Sequence, residues 1–224
     1  RIWDAANYNI RWKYKGDKKE ENTIKFYYEG KLRAIEAKVY LLYTVNADGS
    51  LTIDARYKGL SDELPEMMRF GMLMALPKDV DNFTWYGRGP WENYVDRNKD
   101  AVMGVWNGLV KDQAYPYFRP PETGNKTDVR WFPLKDSAGK GILVEGAQPL
   151  SVSALNNYPE DFDPGTTKKQ QHGSDVLPRE EVVLSVDLFQ RGLGGLDSWK
   201  SRPMDQYRFM GKEYSYSYTI SLVK

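Results

Sequence analysis

The chain of 224 residues carries 32 Lys and Arg against 31 Asp and Glu, and 14% of its residues are aromatic. The nearly balanced charge argues against a nucleic-acid partner, because such proteins carry a basic excess that neutralises phosphates. The aromatic content and an apolar fraction of 41% argue against a disordered chain. The lack of cysteine excludes disulfides, thiolate nucleophiles and Cys-based zinc sites.

The length suits one large all-β unit, and we interpret residues 1–224 as a single domain. The chain opens with Arg1 and runs directly into aromatic residues, which is typical of a piece of a longer polypeptide. No stretch approaches the roughly 20 apolar residues that cross a bilayer. The sequence therefore predicts a soluble protein with no membrane contact, in either the cytoplasm or the periplasm.

Period-two alternation of apolar and polar residues recurs along the chain and predicts half-buried strands. It begins at Ile24–Tyr28, and between Val39 and Tyr57 it forms a hairpin around the turn Asn46-Ala47-Asp48-Gly49. Later strands are predicted at Gly141–Gly146, Val182–Leu188 and Tyr214–Leu222. No long apolar stripe of helical period is present, so helices should be few and short. The pattern predicts an all-β sandwich.

Two carboxylates lie in a segment from Trp85 to Arg97 that is rich in rings, glycine and charge. Glycoside hydrolysis uses a pair of carboxyl groups, so Glu92 and Asp96 are candidates for that chemistry. The structural alternative, which we favour, is that they pair with Arg88 and Arg97 and fix an irregular loop.

A polar stretch from Asn156 to Gln171 is interpreted as a long exposed loop within the domain. Asp161 and Asp163 could bind calcium there, but further oxygen ligands at suitable spacing are missing, and no metal site is predicted. His172, the one histidine, could serve as a general acid or base. We expect it to be a solvated loop residue.

The stretch Gly192-Leu193-Gly194-Gly195-Leu196-Asp197-Ser198-Trp199 combines a flexible backbone, polar atoms and one aromatic face. A sugar packs its apolar face on such a ring, while its hydroxyls need polar partners. By composition alone, a core tryptophan that closes a loop is an equal alternative.

Three segments together resemble one known family: Trp85-Tyr86-Gly87-Arg88-Gly89-Pro90-Trp91-Glu92-Asn93-Tyr94-Val95-Asp96-Arg97, then Pro121-Glu122-Thr123-Gly124-Asn125-Lys126-Thr127-Asp128-Val129-Arg130-Trp131, then Gly194-Gly195-Leu196-Asp197-Ser198-Trp199. Leu64-Pro65 and Arg69-Phe70-Gly71-Met72 precede the first segment, and Tyr115-Pro116-Tyr117 precedes the second. In order and spacing they are similar to the C-terminal, small-chain domain of the β-galactosidases of glycoside hydrolase family 2.

The resemblance implies a galactose-mutarotase-like supersandwich of antiparallel strands. It also implies a retaining β-galactosidase that hydrolyses terminal non-reducing β-D-galactosides. Both catalytic glutamates, and the Mg and Na sites of the family, would lie in a separate (β/α)8 barrel. This chain would then contain no catalytic residue and no cofactor site, and alone it would be inactive. Its expected partners are the β-galactoside and the other domains of the parent enzyme, which often forms homo-oligomers.

The family's domain extends a tryptophan into the mouth of the active site, and Trp199 matches that residue, with Asp197 and Ser198 as its loop supports. Glu122, Asn125 and Arg130 match a segment in which Thr123 replaces the usual asparagine. For these three, a sugar-binding role and a buried ion network both remain open, and we favour the network.

Two further functions are compatible with the sequence. One is a carbohydrate-binding module whose concave face holds a glycan. The other is a free-standing aldose 1-epimerase, which usually needs more than one histidine at the anomeric centre, so that the single His172 argues against it.

Overall fold

The computed structural model describes residues 2–118, 122–163, 172–195, 197 and 201–224. These residues form an all-β domain with one short helix, α1 (Ile2–Tyr8), and four single 3-10 turns, which confirms that helices are few and short. The strands are β1 (Ile10–Lys19), β2 (Thr23–Leu32), β3 (Ala37–Asn46), β4 (Leu51–Gly59), β5 (Arg69–Pro77), β6 (Asn82–Gly89), β7 (Val102–Leu109), β8 (Lys126–Lys135), β9 (Gly141–Leu155), β10 (Glu181–Gln190) and β11 (Glu213–Val223).

The predicted hairpin is strands β3 and β4, paired from Ala37 and Gly59 to Val45 and Leu51. Its turn closes through the Asn46 amide, which donates to the Ser50 carbonyl at 2.9 Å. Gly49 adopts a φ of 83°, in the left-handed region that glycine enters without steric cost. The turn residues of the sequence therefore do what their chemistry predicts.

All strands pair antiparallel in the order β1-β2-β3-β4-β11-β9-β8-β6-β7, and β10 branches from β9 and pairs with β5. Strand β9 makes the branch possible. Its first part, Gly141–Gly146, pairs with β11, while Ser151–Leu155 pairs with β10. The predicted short strand ending at Gly146 was therefore wrong in its length, because the strand continues for nine residues through a second set of partners.

Because β9 has these two sets of partners, the β10–β5 pair lies over β11 and β4 as a second layer. Phe70 of β5 packs against Tyr57 of β4 and Tyr216 of β11, with ring centroids 6.2 and 5.5 Å apart. The Tyr216 hydroxyl donates to the Val186 carbonyl of β10 at 3.0 Å. The all-β, antiparallel, two-layer fold that the sequence predicts is confirmed.

The buried core continues under β6, β8 and β9, where alternate side chains point inward. Phe83 and Trp85 of β6 stack with ring centroids 4.9 Å apart, and Phe132 packs edge-on against Phe83. The Trp85 indole donates to the Arg88 carbonyl at 3.0 Å. This hydrogen bond fixes the end of β6, from which the first of the three family-like segments continues.

Among the helices of the described part of the chain, none combines the length and the apolar character that spanning a bilayer requires.

Candidate functional site

The three segments that carry the resemblance meet in space at one end of the sandwich. The residues after β6, the residues before β8 and the loop after β10 are linked by hydrogen bonds between groups 31 to 98 positions apart in the chain. A candidate site therefore exists where the sequence predicts its parts, and Glu92, Asn93 and Asp96 form its centre.

Glu92 joins the first segment to the second. One carboxylate oxygen accepts from the Thr123 hydroxyl at 2.8 Å and from the Gly124 amide at 2.7 Å. The other accepts from the hydroxyl of Tyr117. Burial and this hydrogen bond raise the pKa of Tyr117 to about 12. Because three donors bind its carboxylate, the role of Glu92 is to stabilise the loop.

The expected pairing of Glu92 with Arg88 is wrong. The Arg88 guanidinium instead donates through Nε to Asp128, at 2.5 Å, and through Nη1 to the carbonyls of Asn98 and Ala101. A planar guanidinium with several donors satisfies a carboxylate and two carbonyls at once. Arg88 thus fixes the loop, as predicted, but its partners are Asp128 and two backbone carbonyls and not Glu92.

Asn93 is 1% exposed and uses its whole amide. Its Nδ2 donates to the carbonyls of Arg88 and Trp91, at 3.2 and 3.0 Å. Its Oδ1 accepts from the backbone amide of Thr127 at 2.9 Å and from the Thr127 hydroxyl at 2.5 Å. One side chain therefore links the end of β6 to the beginning of β8.

Asn125 repeats this arrangement from the opposite side. Its Nδ2 donates to the Asn93 carbonyl at 2.9 Å, its own carbonyl accepts from the Asn93 amide at 2.8 Å, and its Oδ1 accepts from the Ser151 hydroxyl at 2.8 Å. The residue is 1% exposed. Asn125 is placed as a support of the loop.

Glu122 and Arg130 do not join Asn125 in one network. A Glu122 carboxylate oxygen lies 3.8 Å from Nη1 of Arg69, and Arg69 also binds the buried Asp187 through Nε at 2.8 Å. Burial raises the pKa of Glu122, and the Arg69 charge opposes this effect. Arg130 is exposed, at a point where the register of β8 against β9 shifts. The predicted ion network is therefore wrong for Arg130.

The stem of the loop after β10 is held by Asp96. One carboxylate oxygen accepts from the Leu193 amide at 3.1 Å and the other from the Gly194 amide at 2.8 Å. Arg97 donates through Nη2 to the Gly194 carbonyl at 2.8 Å. Asp96 and Arg97 therefore do not pair with each other as predicted. Both instead bind the backbone of Leu193 and Gly194.

Glycine is required in this stem. Gly194 and Gly195 have φ of 77° and 102°, where other residues are strained. A Cβ on Gly194 would also lie 2.8 Å from the carbonyl oxygen of Ser201. The backbone freedom that the sequence suggests is used here to reverse the chain tightly.

Of the three predicted sugar contacts, only Asp197 is among the described residues. The Asp197 carboxylate accepts from the Ser201 amide at 3.4 Å. Ser198 and Trp199 lie outside the described residues, so their predicted roles remain predictions. The structure describes the stem from Gly192 to Gly195, which precedes them in the chain.

The other candidates lie outside this cluster. Both oxygens of Asp161 bind the Arg179 guanidinium, at 2.6 and 2.8 Å, so the predicted alternative of a calcium ligand has a competing cation. In the described part of the chain, no group of three or more His, Asp or Glu side chains has the arrangement of a metal site. His172 is half-buried and packs edge-on against Phe118, with ring centroids 4.9 Å apart. It is less solvated than expected.

Sequence reasoning missed Lys126 and the Arg69–Asp187 pair. The Lys126 side chain is buried, with Nζ 5.2 Å from the Trp85 ring centroid and 3.3 Å from the Gly124 carbonyl. Desolvation lowers its pKa to about 8. Its position directly after the Glu122–Asn125 segment was the available signal, whereas Arg69 and Asp187 lie 118 residues apart and gave none.

Comparison with known proteins identifies one family and several relatives that align with most of the chain. The family model described as "Beta galactosidase small chain" matches residues 1–220. A β-galactosidase from Priestia megaterium is 35% identical over 185 residues, which cover 82% of this chain and 17% of that protein. β-Galactosidase BgaC from Bifidobacterium adolescentis is 36% identical over 176 residues, 76% of this chain and 16% of that protein. The chain thus spans about one sixth of the length of these relatives.

Among solved structures, a GH36 α-galactosidase from Geobacillus stearothermophilus aligns with 95% of this chain and 28% of its own, at 10% identity and a TM-score of 0.49.

Proposed function

The chain belongs to the β-galactosidase small-chain family, and from this premise we propose that it is the C-terminal domain of a retaining β-galactosidase that hydrolyses terminal non-reducing β-D-galactosides. In this proposal the acid/base and nucleophilic glutamates lie in a (β/α)8 barrel outside residues 1–224. The Mg²⁺ and Na⁺ ions that the resemblance implies also bind there, and no described residue of this chain is assigned to them.

One observation supports a part for this domain in the site: the three family-like segments converge on the stem of the Gly192–Trp199 loop. Asp96 and Arg97 both form hydrogen bonds with the backbone of Gly194. Behind them, Glu92 and Asn93 tie the same segment to Thr123, Gly124 and Thr127. A loop held at its stem by this many hydrogen bonds can present its tip in one position, which a binding surface requires.

In the proposed mechanism the domain binds and orients the sugar and moves no proton. Trp199 stacks on the apolar face of the galactosyl ring at the mouth of the pocket, and Asp197 and Ser198 hold the turn behind it. A stacking contact of this kind contributes on the order of 1 kcal/mol, or several-fold in affinity.

The test is to express the full-length gene product that contains this chain and to measure its hydrolysis of o-nitrophenyl β-D-galactoside and lactose. Trp199→Ala should raise KM several-fold for both substrates. Trp199→Phe, which keeps an aromatic face, should restore most of the affinity. An unchanged KM in Trp199→Ala would remove the stacking role, and a full-length product without galactosidase activity would remove the proposed function itself.

A further inference from the structure

The inner face of the sheet is covered over only part of its width. The β10–β5 pair lies over β11 and β4, and beyond β5 no described strand lies over β3, β2 and β1. Helix α1 closes one end, where Trp3 packs against Tyr57 at 6.5 Å between ring centroids. The rest of the inner face of β1 to β3 forms an open groove.

The groove is apolar and has a volume of about 720 Å³. One wall is Trp12 of β1 and the other is Met72 of β5, and the floor consists of Phe26, Tyr28, Leu41, Tyr43, Val45 and Leu51. Trp12 is 47% exposed and Val45 is 38% exposed. A continuous apolar surface of this kind on a soluble protein marks an interface.

The edge of β5 that borders the groove is unpaired. Within the described residues β5 pairs with β10 alone, so every second backbone amide and carbonyl of Phe70–Leu76 points toward the groove. This stretch contains no charged residue and no proline. Natural edge strands are protected from pairing by lysines, prolines or bulges. The register of β5 against β10 shifts at Phe70–Gly71, and between Met72 and Leu76 β5 has none of these features.

Strand β1, at the outer edge of the same sheet, shows what protection looks like. It carries Lys13, Lys15 and Lys18, and its register against β2 shifts between Tyr14 and Gly16. The two edge strands thus differ. The edge of β1 is protected against pairing, whereas the edge of β5 beside the groove is free to pair.

We propose that an extended segment of the parent polypeptide, from outside residues 1–224, pairs with the free edge of β5 and lays its apolar side chains in the groove. The inference rests on the proposed function, in which this chain is one domain of a longer enzyme, and the chain spans only 16 to 17% of its relatives' length. A strand added to β5 extends the second layer over β3 and β2 at the ordinary strand spacing of about 4.8 Å.

Hydrogen exchange on the full-length gene product tests the pairing directly. With single-residue resolution by electron-transfer fragmentation, the amides of β5 divide into those bonded to β10 and those that point toward the groove. If a segment occupies the edge, both sets exchange equally slowly. Fast exchange of the groove-facing set, in alternation with slow exchange of the other, would overturn the proposal.

A matched pair of variants tests the groove in the same protein. Val45 on its floor is 38% exposed, and Tyr27 on the opposite face of the sheet is 37% exposed. Val45→Lys should lose the protection of the groove-facing β5 amides and lower Tm by several degrees, whereas Tyr27→Lys should leave both nearly unchanged. Equal effects of the two substitutions would contradict the proposal.

Two further readouts separate this inference from its alternatives. If cross-linking and sedimentation place β5 of a second copy at this edge, a second copy is the occupant and the proposal is wrong. Galactosidase activity is measured in parallel. Activity with an unprotected β5 edge overturns only the inference, while a protected edge without activity overturns only the proposed function.

Discussion

At the scale of single residues, the site depends on buried amides more than on charges. Asn93 makes four side-chain hydrogen bonds with three residues, and Asn125 pairs with the Asn93 backbone in both directions. Asparagine suits this task because one amide presents two donors and two acceptor positions without a charge to desolvate.

Asn93→Ala should lower the free energy of unfolding by about 3 kcal/mol, because it leaves the buried Thr127 amide without a partner and removes one donor each from the Arg88 and Trp91 carbonyls. Asn107→Ala is the matched control. The Asn107 side chain also makes two hydrogen bonds, but it is exposed, so its loss should cost less than about 0.5 kcal/mol. Urea unfolding of both variants measures the difference, and equal losses would show that the Asn93 network carries no special stability.

The sequence identified the residues of the site better than their partners. Glu92 and Asp96 stand out because they interrupt a segment dense in rings and glycine, whereas Asn125 was identified through the family resemblance. The partners of Glu92 and Asp96 were assigned to neighbouring arginines, since nearness along the chain was the one distance available. Glu92 in fact binds groups 25 to 32 positions away, and Asp96 binds amides 97 and 98 positions away. Such partners depend on the strand order, which no local pattern contains.

At the scale of elements, alternation of apolar and polar residues along the sequence predicted β3, β4, β10 and β11 and missed β5 and β6. The β3–β4 hairpin and β11 alternate cleanly and were predicted with nearly correct bounds. Strand β5 has apolar residues at most positions because its outer face is also apolar, and β6 has glycine where its neighbours approach closely. A Cβ on Gly87 would lie 2.9 Å from Val129.

The loop after β10 gives the prediction at this scale. Gly194→Ala should destabilise the protein by more than Gly139→Ala, although both glycines have φ near 80°. The strain of a left-handed alanine, about 1 to 2 kcal/mol, is common to the two. A Cβ at Gly139 meets no atom within 4 Å, whereas at Gly194 it meets the Ser201 carbonyl oxygen at 2.8 Å.

Unfolding free energies of the two variants isolate the effect of that close approach. In the full-length enzyme, Gly194→Ala should also raise KM for o-nitrophenyl β-D-galactoside, because the stem of the loop has to shift. Gly139→Ala should leave KM unchanged. If both variants lose the same stability and keep the same KM, the position of the stem has no bearing on the sugar.

At the scale of the whole molecule, the buried Lys126 makes global stability depend on pH. Desolvation lowers its pKa in the folded state to about 8, from the ordinary lysine value of 10.5. Between these values the unfolded chain binds the proton and the folded protein does not, so stability rises with pH across this window. Below pH 8 both states are protonated, and the full cost of burying the charge remains.

The free energy of unfolding should therefore rise by about 2 to 3 kcal/mol between pH 8 and pH 10. Lys126→Met should abolish most of this rise, whereas Lys140→Met, at an exposed site, should preserve it. The window ends near pH 10, because burial raises the pKa values of Tyr216 and Tyr218 and their ionisation in the unfolded chain then lowers stability. Urea titrations at intervals of one pH unit measure the slope, and parallel curves for wild type and Lys126→Met would contradict the assignment.

The strand order also has a consequence for synthesis of the protein on the ribosome. Strand β11 is inserted between β4 and β9, so the sheet stays divided until residues near Val223 have left the exit tunnel. A nascent chain halted before that point exposes the edges of β4 and β9 together with the ring-rich interior between them. Leu51 and Ile220, which pair in the sheet, lie 169 positions apart. Contacts at such long sequence separation make folding slow. We therefore expect newly made chains to depend on chaperones until β11 has emerged from the ribosome.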